Sequence, residues 1–204
     1  PAAYPSQEFN DMIGDSLVLD TRETSCFTTS HIPNSISIWA QGVPSYAGWF
    51  LPYDISLFLV GSNQQLDSTL IDLFRLGYSV KGYLSEDFID WHKAGLPTNS
   101  IPTITAEDLK TQLDSSNSLW ILDVRSSQEL ADDGKIPGAN HIPITELTSQ
   151  IDLIPIDRNI YIICDSGHRS TTAASLLLQQ GPYKPVVILG GFSSWKSLKY
   201  PLEH

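Results

Sequence analysis

Two α/β domains of one kind, each a parallel sheet with helices on both faces, are the architecture this sequence predicts. Three observations carry it. Largely apolar runs such as SLFLV (56–60) and IYIIC (160–164) read as strands buried on both faces, the pattern of parallel sheets. Helical patterns alternate with these runs, and that alternation builds a parallel sheet with crossover helices. The whole punctuation then repeats after 103 to 104 residues. LVLDTR (17–22) pairs with WILDVR (120–125), and HIPNSISI (31–38) with KIPGANHI (135–142). Val60 aligns with Cys164, Gly77 with Gly181, Phe88 with Phe192, Trp91 with Trp195 and Pro97 with Pro201. A period this long marks a duplicated domain, not a solenoid. The polar, Pro-containing TNSIP (98–102) suits a linker, giving domains 1–98 and 103–201.

In the second copy, Thr105 and Asp108 make a capping pair that opens a helix running to about Asp114. Trp120 to Asp123 reads as a buried strand, Ser126 to Asp133 as a short acidic helix, and Asn140 to Ile142 as a short strand. Thr145 to Gln150 reads as helical, followed by the strand Ile160 to Cys164. A longer Ala/Leu-rich helix from Ser170 to Gln180 stops at Gly181, the residue type that ends helices. Pro185 to Leu189 is a strand, and Phe192 to Leu198 a last helix.

Composition narrows the function classes. At 204 residues with 41% hydrophobic and 17% charged residues, the chain is an ordinary globular protein. No stretch approaches the roughly 20 apolar residues of a membrane span. Two cysteines make no disulfide framework, so a cytoplasmic setting is the expectation. A net charge of −11 argues against nucleic acid or an anionic membrane as partner, and means that any small anion needs its own local positive potential. No His/Cys/Asp cluster has metal-ligand spacing and no GxGxxG is present, so neither metal nor cofactor is expected in this chain. The final Leu202-Glu203-His204 resembles a tag remnant.

The most informative run is YIICDSGHRSTTAASLLL (161–178). An apolar strand ends on Cys164, a tight loop closes at Arg169, and a helix follows at once. Ligands in open α/β sheets sit outside the carboxyl ends of strands, which is where Cys164 lies. A loop of backbone N–H groups and a helix N-terminus both favour negative charge, so the placement stabilises a thiolate, the nucleophilic form. Gly167 permits the loop's backbone angles. Arg169 carries a permanent charge on a planar fork, suited to an oxyanion or to an internal carboxylate. Ser166 and Ser170 add hydroxyl donors, Asp165 places a like charge beside the thiolate, and His168 reads as a solvent-facing loop residue. Asp123 and Arg125 read as scaffolding, with Glu129 as a candidate partner for Arg125. Cys26 lies away from the loop position and reads as structural.

With DVR (123–125), IPGA (136–139), CDSGHRS (164–170) and GGFSSW (190–195) in this order, the chain resembles tandem rhodanese-like sulfurtransferase repeats. The resemblance covers nearly the whole chain and departs from the family pattern at Lys135 and Asp165. It implies two rhodanese-like domains and a catalytic Cys164, with Asp165 to Ser170 around the substrate and Asp123 and Arg125 in support. The implied reaction moves a sulfane sulfur from thiosulfate or a low-molecular-weight persulfide, through a Cys164 persulfide, to a thiol or cyanide. SYAGWFLPYD (45–54) further resembles the first repeat of fusions in which a metallo-β-lactamase-fold domain, a persulfide dioxygenase or related hydrolase, precedes two rhodanese repeats. Such a domain would be a partner absent from this chain.

The first copy, with Val60 for the cysteine and Gln65 for the arginine, is expected to be non-catalytic, and its aromatic residues Tyr46, Trp49, Phe50 and Tyr53 to pack a core, an inter-repeat contact or a docking surface. Two other readings stay open: a module that only binds or regulates, docked on the upstream domain, and a rhodanese-fold phosphatase or arsenate reductase. The Cys-x4-Arg spacing favours sulfur, since phosphatases of this type use Cys-x5-Arg.

Overall fold

The apolar runs become strands and assemble into two five-stranded parallel sheets in the computed structural model, which describes residues 1–115 and 119–204. The chain divides into units Pro1–Ser100 and Ile101–His204. The first contains β1 (Ala2–Tyr4), α1 (Ser6–Ile13), β2 (Leu17–Asp20), α2 (Thr24–Thr29), β3 (Ile36–Ser37), α3 (Val43–Phe50), β4 (Leu57–Val60), α4 (Leu66–Arg75), β5 (Val80–Leu84) and α5 (Phe88–Lys93). The second contains β6 (Thr103–Ile104), α6 (Ala106–Ser115), β7 (Trp120–Asp123), α7 (Ser127–Asp133), β8 (Asn140–His141), β9 (Asn159–Ile163), α8 (His168–Gln180), β10 (Lys184–Ile188) and α9 (Gly191–Ser197).

The sheet orders are β1-β5-β4-β2-β3 and β6-β10-β9-β7-β8, the same order position for position. In each sheet the chain steps outward from β2 to β3 (β7 to β8), then reverses and crosses to the other side of that first long strand for β4 and β5 (β9 and β10). Right-handed crossovers running in opposite directions place helices on opposite faces. In the second unit, Tyr161 and Ile163 of β9 join Ile121, Val186 and Ile188 against Leu109 of α6 and Phe192 and Trp195 of α9. Their neighbours Ile160 and Ile162 point to the other face, where α8 packs through buried Ala173, Ala174 and Leu177. Each such large apolar side chain contributes about 1.5–3 kcal/mol on burial.

The duplication extends to side-chain staples. Trp91 Nε1 donates to Pro97 O at 3.1 Å, and Trp195 Nε1 to Pro201 O at 2.9 Å. Arg22 sits over the Phe88 ring at 3.7 Å, and Arg125 over Phe192 at 3.5 Å. The backbone bridge His31–Asn99 recurs as Lys135–Glu203. Glu203 also pairs with Lys135 Nζ at 3.2 Å and accepts from Gly138 N at 3.0 Å, so the terminal tail is bonded into the second unit.

Several expectations change. Thr145 to Gln150 is not an α-helix but part of two 3-10 segments, Ile144–Glu146 and Thr148–Leu153. Hydroxyl side chains compete there for backbone bonds, as Ser149 Oγ does by donating to Glu146 O at 2.8 Å. The two- and three-residue strands β1 and β6 carry too little periodicity to be read from sequence. One alignment shifts by a residue: Asp20 pairs with Val60 as Asp123 pairs with Ile163, so Gly61, not Val60, occupies the Cys164 position.

The aromatic segment of the first unit divides in two. Tyr46 stacks with Phe50, and Tyr53 on Tyr78 at 4.6 Å, while Tyr78 Oη donates to Ala47 O and Leu51 O at 3.0 Å, tying down the end of α3. Trp49 is exposed.

Candidate active site

β9 ends at Ile163, and the next residues turn back before α8 starts at His168, two residues earlier than its apolar pattern suggests. Gly167 makes this possible with φ 112°, a left-handed conformation that glycine adopts without strain. The first turn of α8 therefore belongs to the loop. Gly167 N lies 3.1 Å from Cys164 Sγ and Ser170 N 3.4 Å, both donating to the sulfur. A thiolate accepts such bonds better than a thiol, and the 13-residue α8 adds the positive end of its dipole.

The opposite face of the loop is held by α9. Phe192 N donates to Cys164 O at 2.8 Å and Ser193 N to Asp165 O at 3.0 Å. Because C=O and N–H of one trans peptide point in opposite directions, the N–H groups of Asp165 and Ser166 face away from α9. Gly191 lets the two segments meet: a Cβ there would collide with the carbonyl oxygens of both Cys164 and Asp165.

The loop's carboxylate and guanidinium have definite partners. Asp165 accepts a 2.7 Å bond from Ser193 Oγ, which ties its carboxylate to α9. Arg169 forms a bidentate pair with Glu129, Nη1 to Oε2 at 2.7 Å and Nη2 to Oε1 at 2.6 Å. Glu129 also accepts from the Ser126 N–H and hydroxyl at 2.9 Å, completing a capping box for α7. The Arg169 guanidinium, aided by Ser126, holds the Glu129 carboxyl at about 2, far below the usual carboxylate range. Glu129 is thus the partner of Arg169 and not, as the sequence suggested, of Arg125.

Arg125 instead pairs with Asp123, Nε to Oδ1 at 3.0 Å and Nη2 to Oδ2 at 2.7 Å, and donates to Gly134 O at 2.8 Å. Both residues are buried, at 1% and 0% exposure. The guanidinium packs over Phe192, whose N–H holds the Cys164 carbonyl, so this pair supports the loop from beneath and touches no reacting atom.

Cys164 itself is 1% exposed. Ser166 is exposed and His168 half-buried. Ser170 Oγ is fully buried with no hydrogen-bond partner among the described residues, beside a backbone N–H that already reaches the sulfur. It is a donor left available for an additional atom. Sequence reasoning missed the roles of Glu129, Gly191 and Ser193. The GGF turn was the available signal, since two adjacent glycines announce a close approach.

In the first unit the equivalent loop starts at Gly61, where a Cβ would lie 2.7 Å from Thr21 Oγ1. Cys26 is exposed and, contrary to the sequence reading, lines the same cavity of about 370 Å³ as Gly61 and Gln65, together with Glu23, Glu86 and Asp87. Among the described residues no group of three His, Cys, Asp or Glu is placed to hold a metal ion, and no helix is long and apolar enough to cross a membrane.

A family model described as the Rhodanese-like domain matches residues 105–198. Bacillus subtilis YrkF is 40% identical over 97 residues, covering 48% of this chain and 52% of that protein, so the match spans about half of YrkF. A sulfurtransferase of Allochromatium vinosum is 32% identical over 99 residues, covering 48% of this chain and 92% of that protein. The thiosulfate sulfurtransferase GlpE of Pseudomonas aeruginosa is 31% identical over 87 residues, covering 43% of this chain and 77% of that protein.

Proposed function

The chain belongs to the rhodanese-like family, and from that premise we propose that its second domain is a sulfurtransferase carrying sulfane sulfur on Cys164. The Cys164 thiolate attacks the outer sulfur of a donor, thiosulfate or a small persulfide. The donor's S–S bond breaks, its electron pair leaving on sulfite or on the donor thiolate, and a Sγ–S bond forms. An acceptor thiolate or cyanide then attacks that outer sulfur. The Sγ–S bond breaks and the Cys164 thiolate returns, a ping-pong cycle.

One observation carries this reading: the N–H groups of Gly167 and Ser170 converge on Cys164 Sγ while Ser170 Oγ is left without a partner beside them. The first two support the attacking thiolate, and the hydroxyl supplies a donor for the transferred sulfur. Ser166 is exposed in the loop, and His168 is half-buried at the start of α8. The first domain has neither nucleophile nor guanidinium in its loop and is assigned a structural or docking role. The resemblance of residues 45–54 supports placing this chain beside a metallo-β-lactamase-fold domain in the full protein. A gene product without that domain's His/Asp metal motif overturns that placement.

The test is mass spectrometry after incubation with thiosulfate or cysteine persulfide. One sulfur atom is expected on the Cys164 peptide, and Cys164→Ser is expected to lose transfer to cyanide. Undiminished transfer by that variant rejects the assignment. The near-complete burial of Cys164 favours a second reading, a binding module without turnover. An unmodified Cys164 in excess donor would establish that one. The commitment of Arg169 to Glu129 counts against a phosphatase, which needs that guanidinium for a phosphate dianion.

A further inference from the structure

Thiosulfate and an alkyl persulfide deliver the same sulfur with very different charge. Thiosulfate is a compact dianion that leaves as a second dianion, sulfite. A small alkyl persulfide has at most one negative charge at its reacting end and leaves as a thiolate. A dianion entering a chain of net charge −11 needs a cation that it can use.

The cations of the second domain either pair with carboxylates or lie away from the loop. Arg169, the only one in the loop, meets Glu129 through both ends of its fork, and Glu129 stays ionised at neutral pH. Arg125 is buried on Asp123, and Lys196, at the other end of α9, pairs with Asp133. Lys135 pairs with Glu203, Lys110 with Asp114 and Arg158 with Asp157. Lys184 pairs in register with Asn159, at the end of the sheet away from Cys164. Lys199 lies beyond α9, a helix about 10 Å long. With Arg169 and Glu129 cancelling, Asp165 leaves the loop one negative charge, to which the attacking thiolate adds another.

We infer that this site takes its sulfur from a persulfide of low charge in preference to thiosulfate, and that Glu129 sets the preference by neutralising Arg169. The inference rests on Cys164 being the sulfur carrier. With a persulfide R–S–SH, the thiolate forms a bond to the outer sulfur, the proton stays on that sulfur, and the pair from the broken S–S bond leaves on R–S⁻. No oxidant or reductant is required.

The experiment compares cysteine persulfide and thiosulfate as donors, reading kcat/KM for formation of the Cys164 persulfide. The wild-type chain is expected to favour the persulfide by about tenfold or more, the scale of an uncompensated charge in a partly desolvated site. Glu129→Gln keeps a residue that serves in a capping box but removes the charge. It is expected to raise the thiosulfate-to-persulfide ratio about tenfold and to make sulfate a competitive inhibitor. A merely structural role would lower both donors in parallel and leave the ratio unmoved. A wild-type chain that uses thiosulfate as well as the persulfide, or an E129Q ratio equal to wild type, overturns the inference while leaving the sulfurtransferase reading intact. Should E129Q fail to fold, the wild-type ratio alone decides. No Cys164 persulfide with either donor overturns the parent reading instead.

Discussion

Removing the Asp123 carboxylate tests the frame beneath the candidate nucleophile. Asp123 accepts from Arg125 N, Nε and Nη2 at 3.1, 3.0 and 2.7 Å, and both side chains are sealed from water. In Asp123→Ala the guanidinium keeps its charge and its place over Phe192, but only the Gly134 carbonyl bond at 2.8 Å remains to compensate it. Breaking a buried pair from one side costs about 3–5 kcal/mol. For a unit of this size, 1 kcal/mol moves the melting point by about 4–8 °C, so a fall of about 12 °C or more is expected. Differential scanning calorimetry of the whole chain reads it. The double variant Asp123→Leu/Arg125→Met, which removes both charges, is expected to recover most of the loss. The equivalent Asp20→Ala is expected to cost less, because Arg22 retains 12% exposure and with it some solvation. A cost below about 1 kcal/mol for Asp123→Ala would refute the view that this pair is a buried, mutually dependent charge couple.

Two further outcomes follow from the site. Glu129 has a folded pKa depressed to about 2 by Arg169, so its contribution is complete above the unfolded value near 4.5 and is lost as pH falls toward 2. With about a third of its side chain exposed, the effect discounts to about 1.5 kcal/mol. The urea midpoint of the wild type should therefore fall more between pH 6 and pH 3 than that of Glu129→Gln, and parallel falls would refute the assignment. Gly191→Ala would drive a methyl into the Cys164 and Asp165 carbonyls at a backbone φ of 57°. Persulfide formation is expected to drop at least about tenfold with secondary structure retained by circular dichroism, and wild-type rates would refute the close approach.

What could be read along the chain was what lies close together along it. Cys164, Gly167 and Arg169 stand within one tight loop, and strand–loop–helix order alone places them at a sheet's carboxyl end. The duplication was legible because both copies retain the same punctuation, from Asp20 and Asp123 to Pro97 and Pro201. The one-residue slip at Gly61 came from sliding one apolar run on another, where every register looks alike. Only hydrogen-bonded pairing with β2 settled it. The 3-10 segments between Ile144 and Leu153 escaped for a related reason, since helical spacing does not distinguish a turn whose hydroxyls take backbone bonds.

The partners across the site were hidden by distance along the chain. Arg169 lies 40 residues from Glu129, and Asp165 28 residues from Ser193. Several carboxylates could have met that guanidinium, and the sequence offered Glu129 to the wrong arginine. By itself, then, the order of residues determined two α/β domains of one ancestry, a cysteine at a strand end in the second, and none at that position in the first. Tertiary structure alone decided that Arg169 is already neutralised, that Asp165 is tied to α9, and that the sulfur is nearly covered. Local pattern specifies backbone path, whereas charge pairing and access depend on which distant side chains the packed sheet brings within 3 Å of one another.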